Sequence, residues 1–414
     1  MASVCLYLHA HQPFRIRRFS VFDIGAGQSY FDEGKNRDYL SRIARKSYLP
    51  TNNILLQLIK ETKGKFKVSF SISGALLEQL ERHFPEVIRS FQALVNTGNV
   101  ELLSETYYHS LAYLYSKEEF MRQVYFQHKK LKDLFGYSPT FFRNTELMFN
   151  NEMARFVEQL GYKGILAEGV DRVLGWRSPN FVYRAKTADT LKILLRNYQL
   201  SDDVSFRFST RDWKEWPLTA DKFSHWINQV NGNGQTVNLF MDYETFGEHQ
   251  WESTGIFDFL KAFPHKVLEH PDNDFKTPSE VIAAYPAVGE LDFHHIVSWA
   301  DLERDLSAWL GNKMQQRAAE HIYSLEKDVI GSGNERLLDD WRKLQTSDHF
   351  YYMCTKWFAD GDVHKYFNPH ESPYECFISF MNILNDVKWR LGAQTPERTP
   401  ASHDKGRTHK KISD

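Results

Sequence analysis

Residues 4–14 have the sequence VCLYLHAHQPF, an apolar run that stops at two histidines. Short apolar runs bounded by polar or turn residues are typical of strands buried in a parallel sheet. Six later runs in the first two-thirds of the chain have the same character. The predicted strands are Val4–His9, Lys67–Ser73, Val100–Ser104, Thr140–Asn144, Gly164–Ala167, Leu191–Leu195 and Val237–Asp242.

Amphipathic stretches separate several of these strands. They are Tyr48–Glu61, Leu76–Asn96, Lys117–Phe135 and Asn151–Leu160. Strands that alternate with helices form βαβ units and a parallel sheet. About seven such repeats favour a barrel over an open sheet. The sequence therefore predicts an α/β fold with a barrel over residues 1–297.

The chain changes character after Val297. Apolar residues recur at helical spacing in Leu302–Ile330, Arg336–Phe358 and Tyr374–Leu391. The sequence predicts a helical bundle domain over residues 298–392, docked on the barrel. Residues 393–414 are polar and lack periodicity, which predicts a disordered tail.

Composition narrows the class of protein. Lys+Arg number 51 and Asp+Glu 53, so the basic excess of a nucleic-acid-binding protein is missing. No apolar run is long enough to predict a membrane span. The three cysteines form no disulfide framework, and the N-terminal run lacks the basic start of a signal peptide. These features predict a cytoplasmic protein. Aromatic residues make up 15% of the chain, which fits a Phe-rich core or a site that stacks sugar rings.

Polar residues follow four of the predicted strands, at the edge where parallel α/β folds place their sites. His9 and His11 are two residues apart and face the same side of an extended segment. They fit metal ligation, contact with a substrate or a structural role, and no third metal ligand is evident. Glu101 and Glu105 also share one face, where a surface position or a structural ion pair is the alternative to function.

Two single carboxylates stand out at the other strand ends. Glu146 follows FFRNT among bulky apolar residues, with Arg143 near enough to act as a charge partner, and such an ionised carboxylate suits a nucleophile. Asp242 ends the apolar run VNLFM, which predicts a pKa raised by desolvation, as a general acid requires. Carboxylates on two strands are what glycoside hydrolysis needs: one to attack and one to protonate the leaving oxygen.

Five segments in order resemble the conserved regions of glycoside hydrolase family 57. They are HAHQPF (9–14), GNVELL (98–103), FRNTEL (142–147), FMDYETFGEHQ (240–250) and VSWADLERDLSAW (297–309). The resemblance covers about residues 1 to 390. Two further segments, around Trp176 in GWRSPN and Asp348 in TSDHFY, resemble the α-amylase-like members of the family.

The resemblance implies an incomplete (β/α)7 barrel with a C-terminal helical domain and a retaining mechanism. It makes Glu146 the nucleophile and Asp242 the general acid/base, with no metal or other cofactor. The implied substrate is an α-glucan or malto-oligosaccharide. The residues implied to bind it are His9, His11, Glu101, Trp176, Trp299, Asp301 and Asp348.

Three other functions stay open at this point. A 4-α-glucanotransferase would use the same residues, with a sugar hydroxyl in place of water as the second attacker. A metal-dependent polysaccharide deacetylase has a related fold but needs a metal triad, and no second histidine pair on a strand is evident. A glucan-binding protein without catalysis would have no reason to retain both Glu146 and Asp242.

Overall fold

The computed structural model of the chain describes residues 3–356 and 368–393, so the predicted tail beyond Ala393 lies outside the described residues. The strands are β1 (Ser3–Ala10), β2 (Val68–Ile72), β3 (Val100–Leu102), β4 (Phe141–Arg143), β5 (Gly164–Glu168), β6 (Val182–Ala185), β7 (Lys192–Arg196), β8 (Thr236–Asp242), β9 (Asp274–Phe275) and β10 (Glu290–Leu291). The first twelve helices are α1 (Glu33–Ile43), α2 (Leu49–Glu61), α3 (Gly74–His83), α4 (Pro85–Val95), α5 (Ala112–Tyr115), α6 (Lys117–Phe135), α7 (Asn151–Gln159), α8 (Asp171–Leu174), α9 (Tyr198–Ser205), α10 (Ala220–Asn228), α11 (Ile256–Leu268) and α12 (Pro278–Ala284). The helices that follow are α13 (Ser307–Leu310), α14 (Lys313–Ser324), α15 (Glu326–Gly331), α16 (Glu335–Lys343), α17 (Ser347–Tyr351) and α18 (Pro373–Ala393).

Seven parallel strands form a ring in the order β8-β1-β2-β3-β4-β5-β7. Full ladders join β8, β1, β2 and β3 on one side and β4, β5 and β7 on the other. The two sides meet through a single bridge between Ser104 and Phe142. They meet again through a 2.9 Å hydrogen bond from the Asn197 N–H to the Asn238 carbonyl. The ring is therefore a (β/α)7-type barrel that is incomplete at two seams.

All seven predicted strands are present, and they are the seven strands of the ring, which confirms the predicted α/β barrel. The apolar runs were a reliable signal because barrel strands are buried on both sides: every residue of β1 is buried. The sequence did not predict β6, β9 or β10. β6 pairs antiparallel with β7 outside the ring, and the other two are only two residues long, so they have no apolar run to detect.

The helices between the strands agree with the predictions where capping signals are strong. Helix α6 has the predicted bounds because the Ser116 hydroxyl accepts from the N–H of Glu119 at one end and Gly136 adopts φ +64° at the other. The single helix predicted over Leu76–Asn96 is wrong, since it divides into α3 and α4. Pro85 starts the second helix, and a proline has no N–H with which to continue the first.

The C-terminal helices share a hydrophobic core with one side of the barrel. One cluster of buried residues runs from Phe142 and Ile165 in the barrel to Trp309, Trp341 and Phe380 in the helical region. The three long predicted helices are shorter and more numerous in the structure, apart from α18, which spans the third of them. No helix in the described ranges is long and apolar enough to cross a membrane.

Candidate active site

The carboxyl ends of the barrel strands converge on one cluster of polar side chains. His9 and Asp242 are register partners at the ends of β1 and β8. Glu105 and His109 follow β3, and Glu146 follows β4. The cluster lies at the carboxyl-terminal face of the barrel. In (β/α) barrels this face, formed by the loops that follow the strands, is where active sites occur.

Three histidine rings with nearly parallel planes lie together at the centre of this cluster. The ring centroid of His109 lies 4.9 Å from that of His9 and 4.2 Å from that of His11, with interplanar angles of 23° and 22°, and the centroids of His9 and His11 are 6.1 Å apart. The sequence predicted His9 and His11 but not His109. His109 is a buried residue in a left-handed backbone conformation, with φ +51°.

Glu146 is held in place through its backbone and its side chain. Its backbone is left-handed, with φ +56° and ψ +25°, a conformation that costs a non-glycine residue on the order of 1–3 kcal/mol and is concentrated at functional sites. Trp299 donates two hydrogen bonds to Glu146. The Trp299 N–H donates to the Glu146 carbonyl at 3.2 Å, and the indole Nε1–H donates to Oε2 at 2.8 Å.

The other carboxylate oxygen of Glu146 ends a chain of hydrogen bonds from Arg143. The Arg143 Nη1–H donates to His109 Nε2 at 3.0 Å, so the ring proton of His109 lies on Nδ1. His109 Nδ1 is 2.9 Å from the Ser347 hydroxyl, which donates to Glu146 Oε1 at 3.0 Å. Burial and the nearby His11 and His9 hold the pKa of His109 well below its usual value, consistent with a neutral ring. The chain stabilises an ionised Glu146.

The helical region also contributes Asp348 to the site. His11 Nε2–H donates to Asp348 Oδ2 at 2.9 Å, and His11 Nδ1 lies 2.6 Å from the Ser73 hydroxyl. Burial opposes ionisation of Asp348, but the contact with His11 outweighs it and lowers the pKa of the carboxyl. Helix α17 is tied to the barrel by a 2.9 Å bond from the Ser347 N–H to the His109 carbonyl.

Asp242 faces His9, one of the three histidines in the cluster. Its Oδ1 lies 3.6 Å from His9 Nδ1, and Glu105 Oε2 lies 3.3 Å from His9 Nε2. Burial favours the neutral form of Asp242, but His9 outweighs it and lowers the pKa. The predicted upward shift is therefore wrong for the free protein. The apolar run VNLFM precedes Asp242, but the side chain itself is 40% exposed and faces a potential cation.

The pKa of Glu146 is shifted in the opposite direction. Burial raises its pKa above the usual value of a glutamate, although Arg143 and the Trp299 indole act to lower it. The nearby carboxylates of Asp348 and Asp242 raise it further. The charge of Asp242 therefore disfavours ionisation of Glu146 across the site.

The structure does not bring Glu101 to this cluster. Glu101 is the register partner of Ser69 and lies inside the barrel, below the level of His9. Its carboxylate accepts from the Ser279 N–H at 2.9 Å and from the Ser279 hydroxyl, at the start of α12. The substrate contact implied for Glu101 is corrected to a helix-capping role, and Glu105, four residues on, occupies the site instead.

Two other implied contacts lie outside the cluster. Trp176 follows α8 and is 92% exposed, so its indole packs on little of the protein. Asp301 is on the same loop as Trp299, but its carboxylate lies 3.8 Å from Lys356 Nζ. The structure thus brings together six of the nine residues predicted from sequence: His9, His11, Glu146, Asp242, Trp299 and Asp348.

The donor atoms were tested for a metal site. Within the described ranges, two groups bring potential ligand atoms within 4.8 Å of each other: His9, Glu105 and His109, and His11, His109 and Asp348. A metal must lie about 2.0–2.1 Å from each nitrogen along the in-plane lone pair. Both groups need a lone pair from His109, but the lone pair of Nε2 accepts from Arg143, and Nδ1 carries the proton that faces Ser347. In this arrangement neither group fits a metal.

Comparison with known proteins agrees with the fold. The family model described as glycosyl hydrolase family 57 matches residues 5–294. A Methanocaldococcus jannaschii protein provisionally named alpha-amylase is 42% identical over 394 residues, which are 92% of this chain and 83% of that protein. The structure resembles a family 57 branching enzyme of Thermococcus kodakaraensis, with TM-score 0.63, 15% identity and coverage of 95% and 94%. It also resembles the 4-alpha-glucanotransferase of Thermococcus litoralis, with TM-score 0.61 and 16% identity, covering 84% of this chain and 56% of that one.

Proposed function

The chain belongs to glycosyl hydrolase family 57 and is a glycoside hydrolase, and we propose that it cleaves α-1,4-glucosidic bonds in α-glucans or malto-oligosaccharides through a covalent glycosyl-enzyme. The proposed mechanism rests on the pair Glu146 and Asp242, of which the first follows β4 and the second ends β8. Two side-chain donors hold Glu146, whereas Asp242 is partly exposed to solvent. The substrate class rests on the relative named alpha-amylase.

Glu146 acts as the nucleophile in the first step. Its carboxylate attacks the anomeric carbon while Asp242 gives a proton to the departing glycosidic oxygen. The side-chain hydrogen bonds from Trp299 and Ser347 orient the carboxylate, and the Trp299 backbone N–H holds the Glu146 carbonyl, so little motion is needed before attack. Because burial raises the pKa of Glu146, activity should fall with decreasing pH before an ordinary glutamate would protonate.

The second step regenerates the enzyme. Asp242, now ionised, takes a proton from an attacking molecule, which breaks the bond between the sugar and Glu146. Water gives hydrolysis, and a sugar hydroxyl gives glucan transfer. Transfer is the second candidate, since the fold is shared with a 4-alpha-glucanotransferase as well as with other family members. His11 and Asp348, joined at 2.9 Å, present polar atoms to the sugar beside the nucleophile.

Maltoheptaose should yield an α-configured product first. Two successive inversions at the anomeric carbon restore the starting configuration. Proton NMR of the earliest product gives the anomer, and resolution of the products by chain length separates hydrolysis from transfer. Hydrolysis gives only shorter chains, whereas transfer also gives chains longer than seven units. A β-anomer appearing first would mean that Glu146 acts as a base on water.

Chelation should leave the activity unchanged. His109 belongs to both candidate ligand groups and has no free lone pair for a metal, so dialysis against EDTA is expected to preserve turnover of maltoheptaose. His11→Ala should impair turnover through loss of its contact with Asp348, with no release of metal. A stoichiometric zinc content by elemental analysis, lost together with activity on chelation, would contradict this and favour deacetylase-like chemistry.

The enzyme is proposed to act in the cytoplasm. All three cysteines are free and buried, as is usual for proteins of a reducing compartment.

A further inference from the structure

Glu105, His9 and Asp242 form a row at the ends of β3, β1 and β8. Glu105 Oε2 lies 3.3 Å from His9 Nε2, and Asp242 Oδ1 lies 3.6 Å from His9 Nδ1. Each ring nitrogen therefore faces a carboxylate. A neutral imidazole has one N–H and would direct a lone pair at one of the two carboxylates, whereas an imidazolium has an N–H for both.

The charge of Glu105 is stabilised mainly by His9, and to a lesser extent by Arg143 and His11. Its side chain is fully buried, and its hydrogen bond within the described ranges is to His9, while Oε1 has no hydrogen-bond partner there. A buried carboxylate is costly unless a positive group compensates it. Asp242 is half-open and can be solvated by water instead. Glu105 is thus the carboxylate that keeps a proton on His9 in the resting site.

We propose that Glu105 and His9 are positioning residues that store the proton which Asp242 delivers to the departing oxygen. This inference rests on the proposed glycoside hydrolysis. When the sugar covers Asp242 and displaces its water, Asp242 Oδ1 closes on His9 Nδ1 from 3.6 Å to hydrogen-bonding distance, and the proton moves from His9 Nδ1 to Asp242 Oδ1. His9 is left neutral, with its remaining N–H on Nε2 directed at Glu105. Asp242 then passes the proton to the glycosidic oxygen as the C–O bond breaks.

The second step returns the proton. The attacking water loses a proton to Asp242 as its oxygen bonds to the anomeric carbon and Glu146 leaves. His9 Nδ1 now carries a lone pair and accepts that proton from Asp242, which restores the imidazolium between two carboxylates. No oxidant, reductant or co-reactant is needed, and the fixed Nε2–H keeps the ring in the tautomer that both transfers require.

Other charged and titratable groups also face His9. Arg143 on β4 opposes a charge on the ring, and His109 is stacked on it as a neutral ring. The ring centroid of His11 lies 6.1 Å from that of His9, and the His11 Nε2–H is directed at Asp348. Burial and Arg143 lower the pKa of His9, but Glu105 and Asp242 outweigh them, and the pKa lies above the usual histidine value. The surroundings therefore support a protonated His9 near neutral pH.

The resting state can be tested without turnover. Nitrogen-15 NMR of histidine-labelled protein, with His9 assigned from His9→Gln, should show both ring nitrogens protonated at pH 7. In Glu105→Gln the His9 pKa should fall by about 1 unit or more, because one of its two carboxylates is gone. If Glu105→Gln does not fold, the wild-type titration decides alone: a His9 pKa at or below about 6.5 would overturn the proposal.

Kinetics test the role of the stored proton. Activity should fall as pH rises through the His9 pKa, and in Glu105→Gln this alkaline limb of kcat/KM should move to lower pH by about 1 unit or more. Glu119→Gln is the matched control, because Glu119 is equally buried and is paired with Arg342 away from His9. The alkaline limb of kcat/KM should not move in this variant. An unmoved limb in Glu105→Gln would overturn the proposal. A wild-type enzyme inactive on α-glucans would contradict the proposed function, and the NMR titration would still decide the charge of His9.

Discussion

Glu146→Gln is expected to reduce kcat by at least about 10⁴-fold, because the amide cannot form the glycosyl-enzyme. The amide keeps the size of the side chain and can still accept from Trp299, so the fold should be retained. KM should change less than kcat, since the attack occurs only in the transition state. Steady-state kinetics on maltoheptaose, with circular dichroism as a measure of folding, gives both quantities.

A smaller side chain at this position supplies the control. Glu146→Ala opens space beside the anomeric carbon, and added azide should restore turnover by attacking from the side that Glu146 occupied. A single inversion then gives a β-glycosyl azide from an α-glucan. A folded Glu146→Gln with near wild-type activity would refute the assignment of the nucleophile, as would rescue by azide that yields an α-glycosyl azide.

Asp242→Asn is expected to lower kcat on maltoheptaose by about 10²- to 10⁴-fold, the usual contribution of a general acid. The loss should depend on the leaving group. α-Maltosyl fluoride departs as fluoride and needs little help from a proton, so bond cleavage should be nearly normal and the covalent intermediate should accumulate. A burst of fluoride release followed by slow turnover would report this accumulation.

The control for Asp242 lies on the same segment of chain. Glu248→Gln removes a buried carboxylate that is paired with Arg42 at 2.8 Å, and it should leave the response to the leaving group unchanged. An equal loss on both substrates in Asp242→Asn would show that Asp242 does not protonate the leaving oxygen.

The ring of seven strands could be predicted because each strand is buried on both sides and therefore appears as an apolar run. The element boundaries could be predicted where a cap is present, as at Ser116 and Gly136 around α6. The strand β6 could not be predicted, because it lies outside the ring and its pairing with β7 depends on a turn that has no periodic signal.

The site was predictable where a side chain directly follows a strand, as Glu146 and Asp242 do. His109 and Ser347 were missed because their role comes from contacts distant in sequence: a hydrogen bond joins residues 109 and 347. Glu101 was assigned in place of Glu105 because the two share one strand face, and only the register shows which of them reaches the level of His9. The polar segment SETYYHS after β3 was the signal for both Glu105 and His109.

Helix α17 places Ser347 and Asp348 against Glu146 and His11, so the helical region is not a removable accessory of the barrel. For protein engineering, this limits modular exchange. A chimaera that joins this barrel to the helical region of a relative must also bring a hydroxyl and a carboxylate to the same two positions. The same requirement links the two regions in evolution, because a change in the docking of α17 alters the contacts of Glu146 directly.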